Sequence, residues 1–310
     1  MIPKNSLIVS YYFPPSIMVG GRRWAKFSKY LNRDKTTPIW VLTFDSTSAF
    51  VGPWNEDITG LEKKITRIPL KVAPYFKRKI TSSSLAHKVK FKASYYLHKS
   101  FLPFTKGDSS DLVCDYKTEI ISAIKKIVVE KNITTIIVTG APFRLCYYAA
   151  LVKETFCPSV NLIVDYRDFW IEGSVFERLS QKRKKQELQF EQKVVEQANT
   201  ILAVNTMILD RIKKHHPSVL DSKLIELPHA YDPEDLPTVN YDLKNENDLT
   251  VRMIYAGSLY PNMEFSIQLL CKSIRVLLSK GYCPRVDIYS YTNFYKDIFE
   301  KEGVAEYVFY

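Results

Sequence analysis

The sequence predicts an α/β fold with two doubly wound parallel-sheet domains, of which the second is incomplete. Short β-branched runs alternate with amphipathic stretches, which is typical of strand–helix–strand units. A polar segment at 229–250, with Pro233, Pro237 and several Asn and Asp, interrupts the alternation, which then restarts and stops after two strand–helix pairs and a third strand. We therefore predict a Rossmann-like domain at 1–228, a linker at 229–250 and a partial second domain at 251–310.

Each element is indicated by its hydrophobic period. Strands of the first domain are predicted at 7–12, 39–44, 65–68, 135–139, 161–166, 200–204 and 223–227. Its helices are predicted at 23–31, 116–130, 144–155, 180–197 and 206–215, where apolar residues recur every three or four positions. In the second domain the strands are 252–256, 285–289 and a run from 307, and the helices are 264–280 and 293–302. Because three strands and two helices do not cover both faces of a parallel sheet, this domain is expected to be truncated.

Composition excludes several classes of protein. Of the 310 residues 46% are apolar and 25% charged, which is ordinary for a globular protein. No apolar run approaches the roughly 18 residues of a membrane span. The five cysteines form no C-x-x-C pair, which indicates reduced thiols in the cytoplasm. Neither a clustered Cys/His set nor a D-x-D occurs, so no metal site is predicted.

The net charge of +11 comes from one stretch, since residues 63–107 contain twelve Lys or Arg and no Asp or Glu. Within 84–101 a helical period places Lys88, Lys92 and Lys99 on one side. Such a helix fits an anionic membrane surface, which predicts peripheral attachment at the inner face of the cell membrane. A solvated helix that caps the domain is the alternative, and nucleic acid is not expected because no recognition motif accompanies the charge.

Two loops carry the polar groups expected to bind a ligand. Gly20 and Gly21 precede a helix that opens with two arginines, so that backbone N–H groups and Arg23 could contact a phosphate; a plain tight turn is the alternative. No dinucleotide or P-loop fingerprint is present. The second loop follows a buried strand, and ligands of open α/β sheets bind at the carboxyl ends of strands.

That second loop reads Asp-Tyr-Arg-Asp-Phe-Trp from Asp165. We expect Asp168 to act as a general base or to hold a sugar hydroxyl, and Trp170 to stack on a sugar ring. Arg167 is a further candidate for substrate contact, although an internal Arg–Asp pair that fixes the loop would explain it as well. His229, at the start of the linker, is expected to face a cleft between the domains.

Taken together, these segments resemble the glycosyltransferase family 4-like group, in its order along all 310 residues. The resemblance rests on the opening strand and glycine loop (7–21), a small-residue loop (139–143), an Arg-Asp-x-Trp motif (167–170), a helix and strand (191–204), the crossover (227–232) and the first strand and loop of the second domain (255–260). The crossover reads Pro-His-Ala where the family commonly has Pro-Asn-Gly. The family's pair of donor-binding glutamates would lie beyond Tyr310.

The resemblance implies a GT-B-like fold and transfer of a hexosyl group from a nucleotide sugar, usually with retention and without a bound metal or other cofactor. It implies lipid-linked or cell-envelope glycan acceptors, and it places Gly257 and Tyr260 near the donor diphosphate. Because the glutamate pair is missing, little activity is expected of the 310-residue chain. A truncated, non-catalytic, membrane-associated binding protein is the alternative function.

Overall fold

The computed structural model describes residues 5–16, 18–34, 37–45, 53–70, 112–173, 176–236, 249–260, 262–290 and 294–310. The chain divides into two compact units, Met1–Asp235 and Leu236–Tyr310. The division falls inside the predicted linker, and the first seven residues of that linker belong to the first unit. The predicted basic helix with Lys88, Lys92 and Lys99 lies outside the described residues, as does 237–248 of the linker.

The first unit is built on a parallel sheet. Its seven described strands are β1 (Asn5–Val9), β2 (Ile39–Phe44), β3 (Ile65–Ile68), β4 (Ile133–Thr139), β5 (Asn161–Tyr166), β6 (Thr200–Ala203) and β7 (Leu224–Glu226), in the order β3-β2-β1-β4-β5-β6-β7. The described helices are α1 (Arg22–Asp34), α2 (Lys117–Glu130), α3 (Arg144–Thr155), α4 (Gln181–Gln197) and α5 (Thr206–His215). The strand order reverses direction between β1 and β4, which makes the carboxyl ends of these two strands the switch point of the sheet.

The core explains the consecutive apolar residues in the central strands, at 7–9 of β1 and 136–138 of β4. Along β1, Leu7 and Val9 enter a hydrophobic cluster on one face of the sheet, whereas Ile8 enters a second cluster on the other face. In β4, Val138 and Ile137 divide in the same way. Strands buried on both faces carry apolar side chains at successive positions, and parallel strands in register end at the same edge. The polar residues that follow them are therefore gathered at that edge.

The second unit contains a separate sheet of three described parallel strands. These are β8 (Thr250–Ala256), β9 (Cys283–Tyr289) and β10 (Val308–Phe309), in the order β10-β9-β8, with helices α6 (Glu264–Ser279) and α7 (Lys296–Lys301). Cys271, Ile274, Val286 and Phe299 form its core. The predicted fold class is confirmed: the protein is α/β, with two Rossmann-like parallel sheets.

Within the part of the chain that the structure describes, no helix combines the length and the hydropathy that crossing a bilayer requires.

Candidate functional site

The switch point between β1 and β4 gathers most of the polar groups singled out in the sequence. We call this region the switch-point site: the loop after β1, the N-terminal turn of α1 (20–24), the loops after β4 (140–141) and β5 (167–168), and residues 227–229 after β7. Open α/β sheets bind ligands in the crevice at this place.

Both glycines of the first loop are explained by close packing. The Gly21 amide donates to the Met18 carbonyl at 2.8 Å, so it is already satisfied within the loop. A Cβ at Gly21 would lie 2.8–2.9 Å from backbone atoms of Tyr12 and Phe13, and one at Gly20 would lie 2.5 Å from Nη1 of Arg167. The glycines therefore let the start of α1 press against the loop after β1 and against Arg167. This geometry corresponds to the tight turn that the sequence left as an alternative to phosphate binding.

Arg167 joins three loops through backbone carbonyls. Its Nη1 donates to Gly20 at 2.6 Å, its Nε to Gly140 at 2.7 Å, and its Nη2 to Ala141 at 3.3 Å. Burial lowers the pKa of the guanidinium, and the charges of Asp165 and Asp168 oppose this effect. These bonds give Arg167 a positioning role, since this one side chain ties together the loops around the crevice, and its substrate contact stays a prediction.

Asp165 is the buried anion beneath the site, with none of its surface exposed. It accepts hydrogen bonds from the Trp24 indole at 2.7 Å, the Thr139 hydroxyl at 2.9 Å and Nη2 of Arg23 at 3.3 Å. From the sequence, Asp165 is a lesser candidate for function than Asp168, with an internal Arg–Asp pair as the alternative, and the structure contains such a pair between Asp165 and Arg23. The available signal was its place as an acidic residue inside a buried apolar strand, because a buried carboxylate needs partners.

Arg23, predicted to hold a phosphate, uses its terminal N–H groups within the protein. Besides Asp165, Nη2 donates to the Leu227 carbonyl at 2.7 Å, and Nη1 lies 3.0 Å from the Pro228 carbonyl and 3.5 Å from Nδ1 of His229. Only 4% of its side chain is exposed. Arg23 therefore connects α1, the end of β5 and the segment after β7.

Asp168 and His229 form the open rim of the site. Asp168 is exposed, and no other described residue makes a hydrogen bond with its carboxylate. His229 is also exposed, and its pKa is lowered by partial burial and by the charge of Arg23, while Asp165 and Asp168 act in the opposite direction. Of the predicted site residues in this unit, these two present polar side chains toward solvent above a buried network whose own donors and acceptors are largely satisfied.

Trp170 lies elsewhere than the prediction of sugar stacking requires. Its ring is 7% exposed and stacks on Phe143, with centroids 5.2 Å apart and planes 9° from parallel. The indole Nε1 donates to Glu187 at 3.0 Å, and the same carboxylate accepts from Arg144 at 2.9 Å. The structure thus gives Trp170 a place in the core that supports the β5 loop from below.

Three carboxylates of the first unit lie close enough to suggest a cation site, namely Asp57, Asp232 and Asp235, whose oxygens lie within 4.8 Å of one another. The Lys26 ammonium already occupies the middle, 2.6, 2.6 and 2.7 Å from them. Burial opposes its charge, but hydrogen bonds to the three carboxylates raise the pKa of Lys26 overall. The Lys26 ammonium therefore lies where a cation bound by these three carboxylates would lie.

In the second unit, Gly257 and Tyr260 follow the carboxyl end of β8. The Gly257 amide donates to the Tyr289 carbonyl at 3.0 Å, and the Tyr255 hydroxyl closes the turn on the Ser258 carbonyl at 2.8 Å. The Tyr260 side chain is 59% exposed. Gly257 and Tyr260 are thus at the sheet edge where a ligand of this unit would bind.

Solved structures share this fold. The N-terminal domain of trehalose-6-phosphate phosphatase from Candida albicans is 13% identical, with a TM-score of 0.54, over 98% of this chain and 68% of that one. TarM is 10% identical, with a TM-score of 0.53, over 100% and 77%. A glycosyltransferase from Rickettsia africae ESF-5 is 11% identical, with a TM-score of 0.49, over 98% and 67%. No family model and no curated protein matches the chain. At such identities the first two similarities establish the fold alone.

Proposed function

We propose that this protein is a glycosyltransferase of the family 4-like group that moves a hexosyl residue from a nucleotide sugar to a glycan acceptor. The observation that carries the proposal is the rim of the switch-point site, where Asp168 and His229 are exposed above the buried Asp165 network. A rigid base with polar groups at its edge suits a reaction in which catalysis depends on holding substrates in register.

The first unit would bind the acceptor. The Asp168 carboxylate has no competing hydrogen bond from the described residues, so it is free to accept one from a sugar hydroxyl and to draw off its proton. His229 lies beside it as a second polar group. In this proposal Gly20, Gly21, Arg23 and Arg167 shape the crevice by the contacts described above.

The second unit would bind the nucleotide-sugar donor through the turn at Gly257 and Tyr260. This assignment rests on the sequence resemblance and on the position of the turn at the carboxyl end of β8. The same resemblance suggests retention of configuration without a bound metal or other cofactor. In the first unit, the occupation of the Asp57, Asp232 and Asp235 cluster by Lys26 is compatible with that suggestion.

The acceptor would be a lipid-linked or cell-envelope glycan, reached by attachment to the inner face of the cell membrane. The basis is the acid-free basic stretch at 63–107. Binding to anionic vesicles should weaken with salt, since exposed charges are screened within about 8 Å at physiological ionic strength. Changing Lys88, Lys92 and Lys99 together to Glu should release the protein, and equal binding to neutral vesicles would contradict the attachment.

The test of function is sugar transfer from a panel of nucleotide sugars to lipid and glycan extracts, at single turnover with protein in excess. These conditions detect transfer even when turnover is slow. Asp168→Asn should slow transfer about 100-fold, in the range that proton transfer contributes. Asp210→Asn is the matched control, because Asp210 is an exposed residue of α5 with no hydrogen bond among the described residues.

A non-catalytic, membrane-associated binding protein is the alternative outcome of the same experiment. It predicts vesicle binding without transfer from any nucleotide sugar, and no difference between the Asp168 and Asp210 variants.

A further inference from the structure

The segment after β7 is held along α1 by charged side chains. We call residues 227–235 the strap. One face of α1 supplies the donors, and the strap supplies carbonyls near its start and carboxylates near its end. The contacts are Arg23 to Leu227 and Pro228, Lys26, Lys29 and Tyr30 to Asp232, Arg33 to Glu234, and Arg22 and Lys26 to Asp235. Residues three or four positions apart share a helix face, which explains the spacing of the donors.

Asp232 is the central anchor of the strap. Its side chain is buried, and it accepts hydrogen bonds from Lys26 at 2.6 Å, Lys29 at 2.8 Å and Tyr30 at 2.5 Å. Although burial opposes the charge, these donors hold the pKa of Asp232 far below its usual range. The strap is therefore fixed three residues beyond His229, and Arg23 fixes the two residues before it.

The contact between Arg23 and His229 bears on which imidazole nitrogen carries the proton. Nη1 of Arg23 lies 3.5 Å from Nδ1 of His229, and a guanidinium has donors only, so a hydrogen bond between these two atoms requires Nδ1 to accept. A neutral imidazole that accepts at Nδ1 carries its hydrogen on Nε2. The charges that act on the ring come from Arg23 on α1 and from Asp165, Arg167 and Asp168 at the end of β5. Partial burial and the two arginines favour the neutral form.

We propose that Arg23 is a positioning residue which, together with the strap, holds His229 at the switch-point site as the neutral Nε2–H tautomer. The Nε2–H is then a hydrogen-bond donor toward a substrate oxygen, complementary to the acceptor Asp168. The use of this donor rests on the proposed function, whereas the tautomer and its cause do not. Lys26 contributes to the position of His229 without touching it, because it anchors the strap at Asp232 and Asp235.

The test is ¹⁵N NMR of the full chain labelled at histidine, with the His229 ring signals assigned by their loss in His229→Gln. In the unmodified protein we expect the Nε2–H tautomer and a pKa of His229 below the ordinary 6.5. Arg23→Gln and Lys26→Gln should each mix the tautomers and raise that pKa. Lys213→Gln is the control, since it removes one positive charge from α5 at an exposed pair with Asp221, and none of the described contacts joins Lys213 to the strap.

The predominance of the Nδ1–H tautomer in the unmodified protein would overturn the proposal, as would unchanged His229 signals in a folded Lys26→Gln protein. Should Arg23→Gln fail to fold, the spectrum of the unmodified protein and that of Lys26→Gln still decide. Failure of sugar transfer with the expected spectra would refute the proposed function and leave the positioning intact. Sugar transfer by a protein whose His229 is the Nδ1–H tautomer would refute the positioning and leave the proposed function intact.

Discussion

Replacing Asp165 by Asn should destabilise the fold, whereas the same replacement at Asp168 should leave the fold stable. Comparing the two variants therefore distinguishes a structural carboxylate from one that faces the substrate. The two carboxylates lie three residues apart at the end of β5. Asp165 is fully buried and accepts three hydrogen bonds, whereas Asp168 is exposed. Asn keeps the shape of the side chain and one carbonyl acceptor, but it removes the charge that faces Arg23.

The loss of stability expected for Asp165→Asn depends on Arg23, which keeps its buried charge after the change. Removing one member of a buried ion pair costs about 3–5 kcal/mol, because the other charge stays buried without compensation. Since Asn can still accept from either Trp24 or Thr139, we expect about 3 kcal/mol for Asp165→Asn. For a unit of this size that corresponds to a fall of roughly 6–12 °C in Tm. Asp168→Asn should change the free energy of unfolding by less than about 0.5 kcal/mol.

Urea and thermal unfolding followed by circular dichroism measure both variants beside the unmodified protein. Equal loss of stability in the two variants would refute the assignment of Asp165 to the scaffold and Asp168 to the rim. A stable Asp165→Asn protein would show that Arg23 has another counter-charge.

Three further predictions concern packing and charge. Gly21→Ala should lower stability by about 1–3 kcal/mol in a thermal melt, because its Cβ would press on the backbone of the loop after β1, and an unchanged Tm would contradict this. Trp170→Phe should cost about 1–3 kcal/mol through the lost bond to Glu187 while ligand affinity stays unchanged, and a selective loss of affinity would restore the sugar-stacking hypothesis. Arg33 and Lys29 lower the pKa of Glu234 to about 2. The stabilisation that the Glu234 carboxylate gives to the folded state is therefore complete above the ordinary pKa of 4.5 and is lost as the pH falls toward 2. Hydrogen-exchange protection at 232–235 should fall over that pH range, and it should fall less in Glu234→Gln.

Fold class could be predicted from the sequence because burial acts on local patterns. The β-branched run at 133–139 and the amphipathic period at 117–130 each indicate the environment of one element. Strand ends were less accurate, since β1 ends at Val9 while apolar and aromatic residues continue to Phe13. Of those later residues, Tyr11 packs against one hydrophobic cluster of the sheet and Phe13 enters the other, so their composition resembles that of a strand.

The candidate site could be located from sequence, but its internal contacts could not. Loops after strands meet at one edge by topology, which predicts Asp168, whereas His229 is predicted from its place at the start of the linker. The partners of Arg23 lie 142 to 206 residues away, and no local pattern specifies such pairs. The Asp-Pro-Glu-Asp run at 232–235 has the polar composition of a linker, and its complementarity to the basic face of α1 was the signal that sequence reasoning missed.

Single-turnover transfer from a labelled nucleotide sugar, measured for the unmodified chain, Asp168→Asn and Asp210→Asn, tests the proposed function most directly. We expect label to appear in a lipid or glycan product with the unmodified chain and with Asp210→Asn, and transfer to be about 100-fold slower with Asp168→Asn. Transfer that is equally fast in all three proteins would remove Asp168 from the reaction. No transfer from any nucleotide sugar, in protein shown to be folded by circular dichroism, would contradict the assignment as a glycosyltransferase.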